Sequence, residues 1–202
     1  MEDIFRISDE CECGPDSRIN YEGTGRTIDK YHVDLPYPEV TGIAPNKAYA
    51  NIISGLYAGQ TSEITAVMQY FYASCQLKSQ YADAYTAFKY ISVIEMEHMD
   101  ILANVIMALG GDPEYTYRTN MGEKWWTAKN VRYSKTARQI LIEAIIAEEN
   151  AISGYMEACK CIKDEAVTAI IQRIIMDERL LPAEGAQSSS KCILGPGAER
   201  AP

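Results

Sequence analysis

The chain has 202 residues, of which 47% are hydrophobic and 23% charged, and its net charge at pH 7 is −9. A chain of this length can bury one sizeable core, so we expect a single domain. The acidic balance argues against a nucleic-acid partner, because phosphate binding needs a basic patch. No apolar run approaches the roughly 18 residues of a membrane span, and the N-terminus lacks the pattern of a secretion signal. We therefore expect a cytoplasmic protein with no membrane partner.

Residues 1–44 are rich in Gly, Pro, Asp and Tyr and show no helical period. This composition predicts an extended N-terminal arm that wraps the bundle or a neighbouring subunit. Cys11 and Cys13 lie in the arm and are candidates for metal binding or for a cross-link between chains. Cys159 and Cys161 have the same C-x-C spacing on a predicted helix, where they point to different sides, so we expect them to be structural. Paired C-x-x-C motifs of a rubredoxin-type iron site are absent from the sequence.

Helical periodicity predicts four helices after the arm. Pro45 can open the first, and residues 110–113, Gly-Gly-Asp-Pro, end the second. Ser134 is the expected N-cap of the third helix and Asp164 that of the fourth. The predicted bounds are about Pro45–Leu77, Tyr81–Leu109, Ser134–Ile162 and Glu165–Pro182.

The connections between these helices predict the topology. Helices one and two are joined tightly, as are three and four, so each pair is antiparallel. The longer segment 112–133, which carries Trp125 and Trp126, can cross the bundle from end to end; the alternative is an up-down-up-down bundle with a decorated loop. We expect an all-α four-helix bundle over residues 45–181, followed by a disordered tail over residues 182–202.

Four glutamates lie within the apolar stripes of the predicted helices. Glu63 and Glu148 each have alanine three residues on and tyrosine seven residues on, and positions i, i+3, i+4 and i+7 share one helix face. Glu95 and Glu178 likewise lie among apolar positions, and Glu95 is followed three residues later by His98. Carboxylates buried in this way protonate, pair or bind a cation. With too few cationic partners on the same stripes, they predict a metal site.

These motifs resemble those of the ferritin-like superfamily, and most closely its rubrerythrin-like and manganese-catalase-like proteins, including those of spore coats. The resemblance covers roughly residues 45–178 and rests on Glu63-x-x-Ala66-Val-x-x-Tyr70, Glu95-Met-Glu-His98-Met, Leu109-Gly-Gly-Asp-Pro113 and Glu148-x-x-Ala151-Ile-x-x-Tyr155. It implies a ferritin-like bundle with one long crossover between helices two and three. It also implies two manganese or two iron ions that act on hydrogen peroxide or oxygen.

The resemblance assigns roles to individual residues. Glu63 and Glu148 would be terminal ligands, Glu95 and Glu178 would bridge the two metals, and His98 would bind one of them through a ring nitrogen. Two tyrosines, Tyr70 and Tyr155, would be donors to the ligands or radical traps, or simply core tyrosines with satisfied hydroxyl groups.

At one ligand position this sequence departs from the family's pattern. The family expects a second Glu-x-x-His on the fourth helix, but Glu178 is followed by Arg179, Leu180 and Leu181. The site would then bind a second metal weakly, fill the gap with water where substrate binds, or be inactive in an assembly protein. Because the pattern fails immediately after Glu178, a change of reading frame at that point is a further hypothesis, and sequencing the parent locus tests it.

The sequence thus predicts a di-metal oxidoreductase acting on hydrogen peroxide, catalase-like or peroxidase-like, in a homo-oligomer with an unidentified electron donor. The alternatives are a metal-poor structural protein, such as a coat component, and an iron-oxidising or iron-storage protein. A coat component would be spore-associated rather than freely cytoplasmic. Replacing Leu181 with histidine should raise metal occupancy if the fourth helix extends that far.

Overall fold

The structure is a computed structural model that describes residues 31–180. This range contains five α-helices and one β-hairpin. Their bounds are α1 Lys47–Ala58, α2 Glu63–Leu77, α3 Ala82–Ala108, β1 Thr116–Thr119, β2 Gly122–Trp125, α4 Ala137–Cys161 and α5 Glu165–Glu178. Residues 1–30, with Cys11 and Cys13, and residues 181–202, with Leu181 and the predicted tail, lie outside the described range.

The structure has two helices, α1 and α2, where the sequence predicted one, so the prediction of a continuous helix from Pro45 to Leu77 was wrong. Gly59 ends α1 in an extended conformation while its backbone N–H donates to the Gly55 carbonyl at 3.0 Å. A Cβ on Gly59 would lie 2.2 Å from that carbonyl oxygen, so only glycine fits there. The helix start is also corrected, because the Asn46 side chain, not Pro45, caps α1.

Together α1 and α2 run antiparallel to α3 along its length. At one end of the bundle the backbone N–H of Asn46 donates to the Leu109 carbonyl at 2.9 Å. At the other end a short turn joins α2 to α3. Gly110 follows α3 with a positive φ of 78°, which explains why the glycine pair stops the helix as predicted.

The segment between α3 and α4 crosses the bundle from end to end. It starts beside Leu109 and contains the antiparallel β1–β2 hairpin, which the sequence did not predict. Near its start α4 buries Ile140 in a cluster with Leu77 and Ala84, at the opposite end from Leu109. Near its end α4 packs Ile162 in a cluster with Leu109. The helix is therefore parallel to α3, and the predicted crossover in a mainly helical fold is confirmed.

The caps of the last two helices were half predicted. Asp164 caps α5 as expected, since its side chain accepts from the Val167 N–H at 3.0 Å. Thr136, not Ser134, caps α4, because its hydroxyl accepts from the Gln139 N–H. The hydroxyl of Ser134 instead donates to Glu143 at 2.5 Å.

Two apolar clusters fill the bundle, one toward each end. The first includes Ile64 and Leu102, and the second includes Tyr70, Ile91 and Ile94. Buried glutamates lie where the two clusters meet. Among residues 31–180, no helix is both long enough and apolar enough to cross a membrane.

Candidate metal centre

Four helices bring five predicted side chains into the interior. Glu63 begins α2, Glu95 and His98 lie one turn apart on α3, Glu148 lies in the middle of α4, and Glu178 ends α5. None of the five is more than 3% exposed. Each occupies an apolar stripe of its helix, which is why packing the stripes together drives the acidic side chains to the centre.

The ligand atoms of four of these residues lie close together. One atom each from Glu63, Glu95, His98 and Glu178 falls within a mutual distance of 4.8 Å. The Nδ1 atom of His98 lies 3.2 Å from Glu178 Oε1, 3.4 Å from Glu95 Oε2 and 3.7 Å from Glu63 Oε2. The histidine ring therefore points one nitrogen at three carboxylates from three helices.

Glu148 completes the site from the fourth side, although it is not among those four residues. The Tyr70 hydroxyl on α2 donates to Glu148 Oε1 on α4. In the reverse direction, the Tyr155 hydroxyl on α4 donates to Glu63 Oε1 on α2. The repeated glutamate–tyrosine spacing thus produces two crossed hydrogen bonds, each orienting the carboxylate of the opposite helix.

Several oxygen and nitrogen atoms of this group are buried without a hydrogen-bond partner. They are Glu63 Oε2, Glu95 Oε1, His98 Nδ1 and both carboxylate oxygens of Glu178. Buried polar atoms are normally satisfied, so a cluster of five that all belong to one site requires an explanation. Carboxylate oxygens and an imidazole nitrogen are the donor set that manganese and iron accept, and the residues fit such ions.

The electrostatics of the cluster reflect burial and mutual repulsion. The pKa of Glu148 is raised, first by burial and then by the charge of Glu178. The pKa of Glu95 is also raised, first by burial and then by the charges of Glu148 and Glu63. Burial and the charge of Glu95 raise the pKa of Glu178 to about 7. For Glu63, burial also acts to raise the pKa, but the nearby His98 imidazole outweighs burial and lowers the pKa.

Comparisons with known proteins agree on the fold. A family model described as Ferritin-like matches residues 56–137. A manganese catalase from Anabaena, KatB, superposes with a TM-score of 0.70 at 19% identity, covering 85% of each chain. The chain has the ferritin-like fold.

Two bacterioferritins share this ferritin-like fold with the chain. The protein from Desulfovibrio desulfuricans, which has a diiron site, gives a TM-score of 0.58 at 23% identity and covers 71% of this chain and 81% of its own. The protein from Rhodobacter capsulatus, with a metal-free dinuclear site and a haem iron, gives 0.61 at 22% identity and covers 76% and 91%. No curated protein matches the sequence significantly.

The buried cluster has one neighbour that the sequence did not single out, Asp177. Its Oδ2 lies 3.3 Å from His98 Nε2, on the side of the ring away from the glutamates. Asp177 also accepts hydrogen bonds from the Val33 N–H at 2.6 Å and the Tyr37 hydroxyl at 2.5 Å, and it pairs with Arg173 at 2.7 Å. A carboxylate bonded to the far nitrogen fixes the tautomer and orientation of the ring.

Charge and hydrogen bonding keep Asp177 ionised although it is buried. Burial acts to raise its pKa, but hydrogen bonds from His98, Tyr37 and Val33 and from Arg173 outweigh burial and lower it. The guanidinium of Arg173 donates to the carbonyls of Leu35 and Val33 and lies 4.3 Å from the centre of the Tyr37 ring. These contacts fasten residues 33–37, which belong to the described part of the arm, to α5.

Helical spacing contained a signal for Asp177. Asp177 and Arg173 belong to the same stripe of α5 as the buried isoleucines. Counted from Ile170, the positions i+3, i+4, i+7 and i+8 of this stripe are Arg173, Ile174, Asp177 and Glu178. The arm partners of both residues are about 140 positions away in the sequence, and no local pattern predicts that contact.

A cavity of about 380 Å³ reaches the glutamates from the opposite side, between α2 and α4. Its inner wall includes Glu63, Glu95, Glu148 and Glu178 together with both tyrosines, and its outer wall includes Lys129 and Arg132. The segment after the hairpin closes one edge, because the Arg132 N–H donates to the Gln69 side chain at 3.1 Å. Trp126 fastens the hairpin to α2 through Thr65, whereas Trp125 is 67% exposed.

Proposed function

We propose that the protein is a di-metal oxidoreductase that acts on hydrogen peroxide, with Glu63, Glu95, His98, Glu148 and Glu178 as its metal ligands. The observation that carries the proposal is the convergence of five buried ligand atoms that lack hydrogen-bond partners. Without a cation, this arrangement would cost several kcal/mol through desolvation and repulsion. An idle scaffold would have no need for it.

Two manganese or two iron ions held there would supply a two-electron redox couple for cleaving the O–O bond. The protein's contribution is the arrangement of its own side chains. Tyr70 and Tyr155 hold one oxygen of Glu148 and of Glu63, leaving the other oxygen of each carboxylate for the site. Asp177 aims Nδ1 of His98 inward by bonding to Nε2. The cavity between α2 and α4 offers peroxide a path to the site.

Metal content and peroxide loss test this proposal together. The protein is purified from media supplemented with manganese or with iron, and both metals are counted per chain. Two ions per chain and rapid peroxide loss are expected. Oxygen evolution during that loss identifies disproportionation, 2 H2O2 → 2 H2O + O2, whereas loss only with an added reductant identifies a peroxidase. A protein that retains neither metal under either supplement contradicts the proposal.

Iron oxidation or storage is the second candidate, because two bacterioferritins share the fold. This function predicts that the protein oxidises many Fe²⁺ ions per chain and retains them as mineral after gel filtration. An enzyme that only turns over peroxide retains no more than its two bound ions. Counting iron after an aerobic Fe²⁺ load separates the two candidates.

Self-association stays a prediction, and exposed apolar side chains support it. Met68 and Phe71 on α2, and Ile142 and Ile145 on α4, are 38–52% exposed. Light scattering after gel filtration should give the mass of an oligomer. A mass of one chain at micromolar concentration contradicts the prediction.

A further inference from the structure

The cavity between α2 and α4 is much larger than peroxide requires. A water molecule occupies about 30 Å³ in the liquid, and peroxide has only two heavy atoms. The cavity volume is about 380 Å³, which lies within the range of roughly 300–1,000 Å³ typical of small-molecule sites. Two metal ions among the glutamates would fill a small part of it.

The cavity follows α4 for a considerable length, so we describe it as a groove. Its α4 wall includes Glu143, Ala147, Ala151 and Gly154, which form a stripe over three turns, or roughly 16 Å, and the larger side chains of Ile146 and Tyr155 line it beside them. Ala66 lies opposite on α2. Small side chains on both helices leave room between the larger lining residues, and Glu63, Glu95 and Glu178 also line the groove.

Gly154 keeps the far end of the groove wide. It lies inside α4, where glycine is a poor helix former. A Cβ at this position would lie 3.4 Å from Leu56 Cδ2, in ordinary contact, so a methyl group fits but a longer side chain would occupy the groove. The groove thus gains room at the expense of helix propensity.

One edge of the groove, formed by the segment after the hairpin, carries positive charge. Lys129 and Arg132 line it, both are exposed, and neither forms an ion pair within residues 31–180. Among the five lining carboxylates, Glu143 is engaged by the Ser134 hydroxyl, and the other four are the buried glutamates of the site. Ammonium and guanidinium groups bind carboxylates through charge-assisted hydrogen bonds.

We infer that this groove binds an organic monocarboxylate with a short apolar chain. The carboxylate contacts Lys129 and Arg132, and the chain lies along Ala147, Ala151 and Gly154 toward the glutamates. This ligand is additional to peroxide, and its binding does not depend on which metal occupies the site. It goes beyond the proposed function, since peroxide needs neither the length of the groove nor the cations at its mouth.

Octanoate is the probe, and titration calorimetry on the full chain measures its binding. We expect saturable binding with a dissociation constant of about 1 mM or tighter, and weaker binding of the uncharged analogue octanol. The paired change Lys129→Glu and Arg132→Glu should weaken octanoate binding at least about tenfold by placing like charge beside the carboxylate. Lys124→Glu makes the same kind of change on exposed β2, away from the groove, and should leave binding unchanged.

Gly154→Leu tests the body of the groove, because leucine favours the helix and fills the space. It should abolish octanoate binding. Its matched control is Ser153→Leu, which adds the same side chain to an exposed position of α4. Thermal unfolding of both variants confirms that each is folded before binding is compared.

Three outcomes overturn the inference: no saturable binding of octanoate, equal binding of octanol, or unchanged binding in Gly154→Leu. Metal content is counted on the same samples, so this failure is distinguishable from failure of the proposed function. A protein that holds two metals and consumes peroxide but ignores octanoate contradicts only the groove inference. Binding of octanoate without metal uptake contradicts only the di-metal proposal.

Discussion

The two sides of the buried acidic cluster differ in construction. On the His98 side, Asp177, Arg173 and Tyr37 fill the space with charge-assisted hydrogen bonds and a stacked guanidinium, and Val33 and Leu35 contact them through backbone groups. On the Glu148 side, small residues of α2 and α4 leave a groove. The closed side fixes the orientation of His98, while the open side leaves a path to the glutamates. Under the proposed function, one bundle would separate the rigidity that metal binding requires from the access that turnover requires.

Removing a proposed metal ligand should have the largest effect, because the closed side and the open side both border the buried glutamates. Glu95→Ala takes away the proposed bridging carboxylate and should abolish binding of at least one metal per chain. Peroxide loss should fall about 100-fold or more. Glu97→Ala on the same helix is the matched control, since Glu97 is exposed. Metal counting after dialysis checks the outcome, and full metal retention in Glu95→Ala would mean that this carboxylate is not a ligand.

Asp177→Asn breaks the closed side without changing its shape. His98 loses its charged partner, and changes to such outer partners typically cost about 10–100-fold in metal affinity or activity. We expect a loss of this size in metal affinity, measured by competition with a chelator. Asp100→Asn, an exposed change on α3, should have no effect. Equal affinities for the two variants would show that Asp177 does not position His98.

The stability of the metal-free protein should depend on pH through the glutamates whose pKa values are raised. Because Glu95, Glu148 and Glu178 have raised pKa values, the folded apoprotein holds protons that the unfolded chain would release, so its stability falls as pH rises from the unfolded-state pKa to the folded-state pKa. Because the pKa of Glu178 is about 7, the melting temperature of the metal-free protein should fall by about 5 °C between pH 5.5 and pH 8. Added manganese should reverse the drop, because it replaces the protons. Calorimetry of the metal-free protein measures this change. A melting temperature that rises over the same pH range would contradict the raised pKa values of the glutamates.

The smallest effects should come from the tyrosines. Tyr70→Phe and Tyr155→Phe each remove one hydrogen bond to a glutamate and should lower metal affinity less than Asp177→Asn, by about tenfold at most. The two hydrogen bonds are crossed equivalents, so the two variants should behave alike. A large effect on turnover with unchanged metal affinity would instead indicate that a tyrosine takes part in the reaction.

Periodicity predicted much of this arrangement. The register of Glu63, Glu95, His98, Glu148 and Glu178 follows from one helical spacing, and burying the apolar stripes brings these side chains together. The break at Gly59 was missed because a close backbone approach has no signature in a hydrophobic pattern. The hairpin was missed because its strands are mostly exposed and do not alternate clearly.

The contacts of the closed side could not be predicted, for a different reason. Helical spacing places Arg173 and Asp177 on the buried stripe of α5, but their partners in residues 33–37 are about 140 positions away in the sequence, and no local pattern predicts contacts at that distance. The groove could not be predicted either, because it also depends on tertiary packing. Alanine and glycine at the α2–α4 interface are equally compatible with close packing, and only the tertiary structure shows that the space remains open.

Anomalous diffraction from crystals grown with manganese or iron would locate the metal ions directly. We expect two anomalous peaks among Glu63, Glu95, His98, Glu148 and Glu178, with Nδ1 of His98 as a ligand of one of them. Well-ordered glutamates in their buried positions with no anomalous density between them would contradict this expectation.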